Sequence, residues 1–229
     1  MKAIPRISFE LRLLAPMLLL FLAAWTFIAI ADAAMDGDAH AVDMWILSWL
    51  RVGPEGSQQP IGPRWFQEVM RDLTALGSPA VMVLIITATI GWLLMARQWA
   101  MAALALAAMG GGQLAVTTLK HLFSRARPDE VFHATVASGY SFPSGHTMMS
   151  TIVFLTLAAL TARLTVSTRL RVFAMATAGL ITGLVGSSRV YLGVHWASDV
   201  AAGWTAGAAW ALLCWLVADR LGVGRKLST

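Results

Sequence analysis

Charged side chains are scarce in this chain, and the scarcity excludes an ordinary soluble domain. Only 13% of its 229 residues are charged and 58% are hydrophobic, whereas soluble domains carry about 25% charged residues. Cysteine is nearly absent: the single Cys214 has no second thiol to pair with, so cysteine content says nothing about the redox compartment. No repeat of fixed period and no low-complexity tract is present.

Long apolar runs take the place of the missing charge. A membrane-spanning helix needs about 20 mostly apolar residues, and six stretches meet this requirement. They leave little chain for a second domain, so we expect one all-α integral membrane domain over 1–229, with a motif-bearing core at 110–210. The predicted spans are 11–31, 75–96, 99–119, 146–162, 170–188 and 196–218.

Small residues recur at helical spacing within these spans and predict a compact bundle. Glycines four residues apart let two helix backbones approach closely. Such pairs occur at Gly179 and Gly183 and at Gly203 and Gly207, and three glycines stand together at 110–112.

The longest loop, about 32–74, is predicted to contain two short interfacial helices joined by a Gly/Pro turn. Its two apolar pieces, "MWILSWL" and "RWFQEVMRDL", are too short to span a bilayer. Trp45, Trp49, Trp65 and Phe66 suit the headgroup boundary, where aromatic rings prefer to lie. So many tryptophans make a disordered loop the weaker alternative.

The formal net charge of +5 reflects topology rather than a nucleic-acid partner. If the N-terminus is cytoplasmic, most Lys and Arg residues fall on the cytoplasmic side, as membrane proteins prefer. We therefore expect both termini in the cytoplasm. Residues 1–33 also resemble a signal peptide, but their apolar run is longer than such a segment needs, so we favour a retained helix. The inside cations are Lys2, Arg6, Arg12, Arg97, Arg163, Arg169, Arg171, Arg220, Arg225 and Lys226; the outside ones are Arg51, Arg64, Arg71, Lys120, Arg125, Arg127 and Arg189.

The first polar cluster is "KHLFSRARP", which follows the third span. Gln113, Thr117 and Lys120 share one face of that helix, and we expect this polar face to point into the bundle. Arg127 follows, and Pro128 stops any helix near it. Taken alone, such cations also suit simple contacts with lipid phosphates.

The second cluster is "PSGH", directly before the fourth span. Ser144 is predicted to cap that helix, whose free N–H groups would form an anion site. Gly145 lets an oxyanion approach the backbone, and His146 stands where it can donate a proton. Alone, the pattern is more typical of a capping serine beside an incidental histidine.

The third cluster is "SRVYLGVHWASD". His195 and Asp199 are four residues apart and share a helix face. A carboxylate there can bind one imidazole nitrogen and leave the other as nucleophile or base. Arg189 lies just upstream, which makes a purely structural hydrogen bond less convincing.

Together the clusters predict chemistry on a phosphoryl group. Lys120, Arg127 and Arg189 match the dispersed charge of a phosphoryl group in transfer, and two histidines suit a double displacement. The alternative is a zinc site at His146, His195 and Asp199. Three converging cations would repel a divalent ion, so we expect no metal and no other cofactor.

The three clusters resemble the signature of the type 2 phosphatidic acid phosphatases, relatives of bacterial acid phosphatases and vanadium haloperoxidases. That family carries K-x6-R-P, P-S-G-H and S-R-x5-H-x3-D in this order, and all three occur without departure between 120 and 199. The resemblance implies that His195 attacks phosphorus, Asp199 orients it and His146 protonates the leaving oxygen. It also implies that the phosphoryl oxygens are held by Lys120, Arg127, Ser144, Gly145 and Arg189.

The resemblance further implies a lipid phosphatase of the cell membrane whose active site faces the periplasm or exterior. Candidate substrates are undecaprenyl diphosphate, phosphatidate, phosphatidylglycerol phosphate and lipid A phosphates. A lipid phosphotransferase is a close variant, and a non-catalytic lipid-phosphate binder or transporter is the alternative. The sequence does not fix the substrate or the oligomeric state.

Overall fold

The structure is a computed structural model that describes residues 5–54 and 58–223. Lys2, Arg225 and Lys226, which entered the charge count, lie outside the described residues, as does part of the predicted Gly/Pro turn. Within the described ranges the chain forms eight α-helices, one 3₁₀ helix at Glu130–Phe132 and a two-stranded antiparallel pairing. In chain order the elements are α1 Pro5–Asp36, α2 His40–Trp49, β1 Arg51–Val52, β2 Gln59–Pro60, α3 Arg64–Ala75, α4 Pro79–Met95, α5 Trp99–Phe123, α6 Gly145–Leu164, α7 Thr168–Tyr191 and α8 Ala197–Arg220.

The helical membrane architecture expected from the sequence is confirmed. Over the described residues, α1, α5, α6, α7 and α8 are each long and apolar enough to cross a membrane. The sixth span exists only if α3 and α4, which meet at a bend of 44°, are counted together. The break arises because Ser78 caps α4, accepting a hydrogen bond from the Val81 N–H at 3.4 Å, with Pro79 in the first turn.

The loop between the first two spans contains the two predicted helices, α2 and α3. Trp45, Trp49 and Trp65 are exposed, as expected of interfacial aromatics. Phe66 differs, because its ring packs edge-on against Tyr191 with centroids 5.2 Å apart. The sequence also missed the short β1–β2 pairing, whose two-residue strands carry no detectable alternation.

Helix α6 is the centre of the bundle and packs against α5, α7 and α8. Gly203 and Gly207 of α8 make that contact as predicted: an added Cβ would lie 2.9 Å and 2.7 Å from the Cβ atoms of Thr147 and Thr151. The same expectation is wrong for α7. An added Cβ at Gly179 or Gly183 would meet no described atom within 4 Å, because that face points away from the bundle.

Candidate active site

The three sequence clusters meet at one end of the bundle. The first lies at the end of α5 and in the loop after it, the second at the start of α6, and the third between the end of α7 and the start of α8. Helices α2 and α3 cover this end, since α2 contacts α8 and α3 contacts α7. The topology therefore brings together residues that are up to 79 positions apart, such as Lys120 and Asp199.

His195 and Asp199 form the predicted pair, but not on one helix face: α8 begins at Ala197, so His195 lies just before the helix and Asp199 in its first turn. The imidazole Nδ1 lies 3.2 Å from Oδ2 of Asp199, and both side chains are almost fully buried. The other imidazole nitrogen, Nε2, lies 3.0 Å from Nη1 of Arg127. A guanidinium can only donate, so Nε2 carries the lone pair and Nδ1 carries the proton that Asp199 accepts.

The surroundings of His195 keep its imidazole neutral. Burial first, and then the positive charges of nearby arginines and lysine, hold the pKa of His195 well below its ordinary value. A neutral imidazole with a fixed tautomer is the form that can act as a nucleophile. The geometry thus provides the state that the reaction class requires.

Arg127 and Lys120 lie together, since both donate to the carbonyl oxygen of Tyr140 and Arg127 also contacts His195. Besides its contact with His195, Arg127 donates to the carbonyl oxygens of Val194 at 2.6 Å and Gly139 at 2.9 Å. Lys120 donates to the carbonyl oxygen of Tyr140 at 2.5 Å. Both cations are therefore held by backbone oxygens near His195, and both could exchange these oxygens for those of an anionic ligand.

Arg189 is the third cation and is only 4% exposed. Its Nη1 donates to Oγ1 of Thr74, at the end of α3, at 3.1 Å. Its buried Nε has no hydrogen-bond partner among the residues that the structure describes. A buried donor without a partner is costly, which suits a group that binds an anionic ligand.

The start of α6 differs in one detail from the prediction. Ser144 occupies the N-cap position, but its side chain makes no capping bond to the helix backbone. Its Oγ instead accepts a hydrogen bond from Thr147 at 2.9 Å, and its N–H donates to the carbonyl oxygen of Asp199 at 3.0 Å. Ser144 therefore ties α6 to α8, while Gly145 leaves room beside Lys120, whose Cε lies 3.4 Å from where a Cβ would stand.

A cavity of about 580 Å³ adjoins these groups. Its polar end includes Lys120, Gly145 and His146, and its walls are formed by α4 and α5. Gln113 and Thr117 line it too, so the polar face of α5 does not point into the bundle core as expected. This polar face borders the cavity, which opens as a groove between α4 and α5, and both side chains remain exposed.

The zinc alternative finds no support in the arrangement of donor groups. It required three His or Asp side chains to converge around one point. Among the described residues, no group of three or more His, Cys, Asp or Glu side chains is placed to hold a metal ion.

Sequence reasoning missed two charged residues linked to the pair, one directly and one through the first. Arg125 donates to Oδ1 of Asp199 at 2.7 Å and to Oδ2 of Asp43 at 2.9 Å. Arg125 stands inside the first motif, and its place two residues before Arg127 was the available signal. Asp43 lies 156 residues before Asp199, and no local pattern distinguishes it from the other acidic residues of its loop.

Comparison with known proteins agrees with this arrangement. Residues 100–222 match the model of the PAP2 superfamily. The chain is 36% identical over 146 residues to phosphatidylglycerophosphatase B of Bacillus subtilis (strain 168), covering 62% of this chain and 70% of that protein.

Two solved structures are also similar. The crystal structure of a transmembrane PAP2-type phosphatidylglycerolphosphate phosphatase from Bacillus subtilis superposes with a TM-score of 0.76 and 28% identity, covering 93% of this chain and 98% of that one. Aquifex aeolicus LpxE shares the fold, with a TM-score of 0.53 and 22% identity over 69% of this chain and 88% of that one. With the family model, the sequence relative and the converging motifs in agreement, the chain belongs to the PAP2 superfamily and is a membrane phosphatase.

Proposed function

We propose that this phosphatase removes a phosphoryl group from a membrane lipid, with phosphatidylglycerol phosphate as the first candidate substrate. The observation that carries the proposal is the continuity of the cavity: one end holds Lys120 and His146, and the other is apolar. A lipid phosphate has the same division into charged head and apolar tail. The substrate choice is supported by the names of the two Bacillus relatives.

The groove has the length and the opening that a lipid tail requires. On α5 its lining runs from Lys120 to Leu106, which is about 21 Å at 1.5 Å per residue. The hydrocarbon core of a bilayer is about 30 Å thick, and a lipid tail occupies about half of it, so the groove is long enough for a tail. Leu106 on α5 and Val83 on α4 line it and are 58% and 62% exposed. The groove is therefore open sideways toward lipid, so a tail can remain in the membrane while the head reaches the cations.

The proposed reaction is a double displacement at phosphorus. Nε2 of His195 attacks, the bond to the leaving oxygen breaks, and His146 gives that oxygen a proton. A water molecule then attacks the phosphohistidine, loses its proton to His146, and inorganic phosphate leaves. Nε2 accepts a hydrogen bond from Arg127. The guanidinium must therefore move its hydrogen bond from the imidazole to a phosphoryl oxygen as attack begins.

The remaining groups have binding roles in this proposal. Lys120, Arg127 and Arg189 neutralise the phosphoryl oxygens, whose charge is spread in the transition state. Ser144 and Gly145 shape the start of α6 beside them. The distribution of Lys and Arg supports an active site on the periplasmic or external face, with both termini in the cytoplasm.

A panel assay tests the proposal. Purified protein in detergent is given phosphatidylglycerol phosphate, phosphatidate, undecaprenyl diphosphate and a lipid A phosphate, with EDTA present, and released phosphate is measured. We expect turnover without added metal, fastest on phosphatidylglycerol phosphate, and none with His195→Ala. Release from none of these lipids, or release that needs added zinc or magnesium, contradicts the proposal.

A further inference from the structure

Asp199 has two carboxylate oxygens, and only one of them serves His195. Oδ2 faces the imidazole Nδ1 and also accepts the backbone N–H of Trp196 at 3.0 Å. Oδ1 is held by Nη1 of Arg125 at 2.7 Å. The orientation of the carboxylate, and with it the orientation of His195, is therefore set in part from the far side by Arg125.

Arg125 is itself fixed on a second carboxylate. Its Nη2 donates to Oδ2 of Asp43 at 2.9 Å, so one guanidinium bridges two acids through different nitrogens. Its Cζ also lies 5.7 Å from the ring centroid of Trp196, over the ring face. This bridging geometry needs a planar fork of donors, which lysine does not possess.

Asp43 anchors the bridge to the start of α8. It is 2% exposed and belongs to α2, in the cover over the site. It accepts hydrogen bonds from the N–H of Ser198 at 2.8 Å and from the Ser198 hydroxyl at 2.5 Å. A cover helix thereby clamps the first turn of α8, which is the turn that carries Asp199.

The charges of the network explain why it is needed. Asp199 is fully buried, and a buried carboxylate is costly unless it is paired. The neutral imidazole of His195 does not neutralise it, whereas Arg125 does. Asp43 in turn balances Arg125, so the bridge adds no further positive charge beside the three phosphate-binding cations.

We propose that Asp43 and Arg125 are positioning residues for the reaction, acting through Asp199 to keep His195 aimed at phosphorus. The inference rests on the proposed nucleophilic role of His195. As Nε2 bonds to phosphorus, positive charge develops on the imidazole, and an ionised Asp199 in a fixed orientation stabilises it. Without the bridge, the carboxylate can rotate away from Nδ1, and the imidazole loses both its orientation and this stabilisation.

Arg125→Gln and Asp43→Asn test the inference, with Glu68→Gln as the matched control. Glu68 forms an ion pair with Arg71 at 2.5 Å on the same cover but is exposed and touches neither Asp199 nor its network. We expect kcat to fall about 10–100-fold in Arg125→Gln, in the range of second-layer substitutions at metal sites, and somewhat less in Asp43→Asn. Glu68→Gln should retain wild-type kcat.

Binding measurements distinguish a positioning role from a folding defect. KM for lipid and the inhibition constant of inorganic phosphate should stay at wild-type values, because the three phosphate-binding cations are untouched. The number of phosphate-binding sites per chain should also remain full, whereas misfolding would reduce it in step with kcat. Arg125→Lys should fail to restore kcat, and guanidinium ion should partly restore it in Arg125→Ala.

The outcomes separate this inference from the proposed function. If wild-type protein releases phosphate and His195→Ala does not, the function stands, and the bridge variants decide the inference alone. Wild-type kcat in Arg125→Gln with a full number of phosphate-binding sites overturns the inference. If Arg125→Gln fails to fold, Asp43→Asn decides by the same two readouts: wild-type kcat, or a loss of kcat matched by fewer binding sites, overturns the inference.

Discussion

Nη1 of Arg127 lies 3.0 Å from Nε2 of His195, so the guanidinium occupies the lone pair of the proposed nucleophile. Asp199 binds the opposite nitrogen at 3.2 Å. The imidazole is therefore held at both ends, with its proton on the side of Asp199. In the proposed mechanism, the guanidinium that fixes this tautomer also binds the substrate, so substrate binding would free the lone pair of His195.

The groove between α4 and α5 predicts a dependence on tail length. At Gly110 a side chain would project into the groove, where no described atom lies within 4 Å of an added Cβ. Gly110→Leu should lower kcat/KM for dioleoyl lipid phosphates about 5–150-fold, since overfilling such a site costs about 1–3 kcal/mol. It should leave dihexanoyl substrates unaffected.

Gly179→Leu is the control for this substitution. Gly179 is also in a span, and an added Cβ there meets no described atom within 4 Å, but it lies on the face of α7 that points away from the bundle. The control should behave like wild type with both tail lengths. Equal losses on long and short tails in Gly110→Leu would show that the tail does not occupy the groove.

The proposed role of His146 as general acid predicts a dependence on the leaving group. General acid catalysis contributes about 10²–10⁴-fold when the leaving oxygen needs a proton. His146→Ala should lose most of this on a monoester such as phosphatidate, which expels an alkoxide. The loss should be distinctly smaller on undecaprenyl diphosphate, whose leaving group is stable as an anion. Steady-state kcat on both substrates decides the matter, and equal losses would assign His146 a binding role instead.

The neutral state of His195 predicts how stability changes with pH. Its pKa is held well below the ordinary value in the folded protein, so below pH of about 6.5 only the unfolded chain takes up this proton. As pH is lowered below this value, the free energy of unfolding should decrease by up to about 1.4 kcal/mol per pH unit because of this group. His195→Asn lacks the group, so the difference in Tm between wild type and variant should shift in favour of the variant from pH 7 to pH 5. A constant difference would contradict a neutral buried His195.

The proposed orientation predicts which loops are reachable from outside. Val136, on the active-site side, and Val166, between α6 and α7, are 95% and 89% exposed. In a background with Cys214→Ala, a cysteine at 136 should react with an impermeant reagent in intact cells, and a cysteine at 166 should react only after lysis. The reverse pattern would put the active site in the cytoplasm.

Local patterns allowed most of the fold and much of the site to be predicted. Apolar runs located the spans. The contact between His195 and Asp199 was predicted as well, but for the wrong reason: α8 begins at Ala197, so His195 precedes the helix and does not share a helical face with Asp199. Spacing within one helix could not predict which face of that helix packs against another helix. Gly203 and Gly179 belong to identical glycine pairs, yet only Gly203 faces another helix.

The bridge to Asp199 was beyond sequence reasoning for the same reason. Asp43 and Ser198 are 155 residues apart, and Arg125 is 74 residues from Asp199. Each is unremarkable among its neighbours in the sequence. Only the packing of α2 over the start of α8 brings them together, and hydropathy does not encode which helix ends meet.

The most direct test of the central claim is capture of the phosphoenzyme. Wild-type protein is mixed with undecaprenyl diphosphate labelled on its terminal phosphate, quenched rapidly, and analysed for protein-bound label. The account predicts an acid-labile, base-stable label at His195 in the wild type and no label in His195→Ala. In Asp199→Asn the label should form several orders of magnitude more slowly, as for related triads. Full turnover by His195→Ala, or label found on another residue, would contradict it.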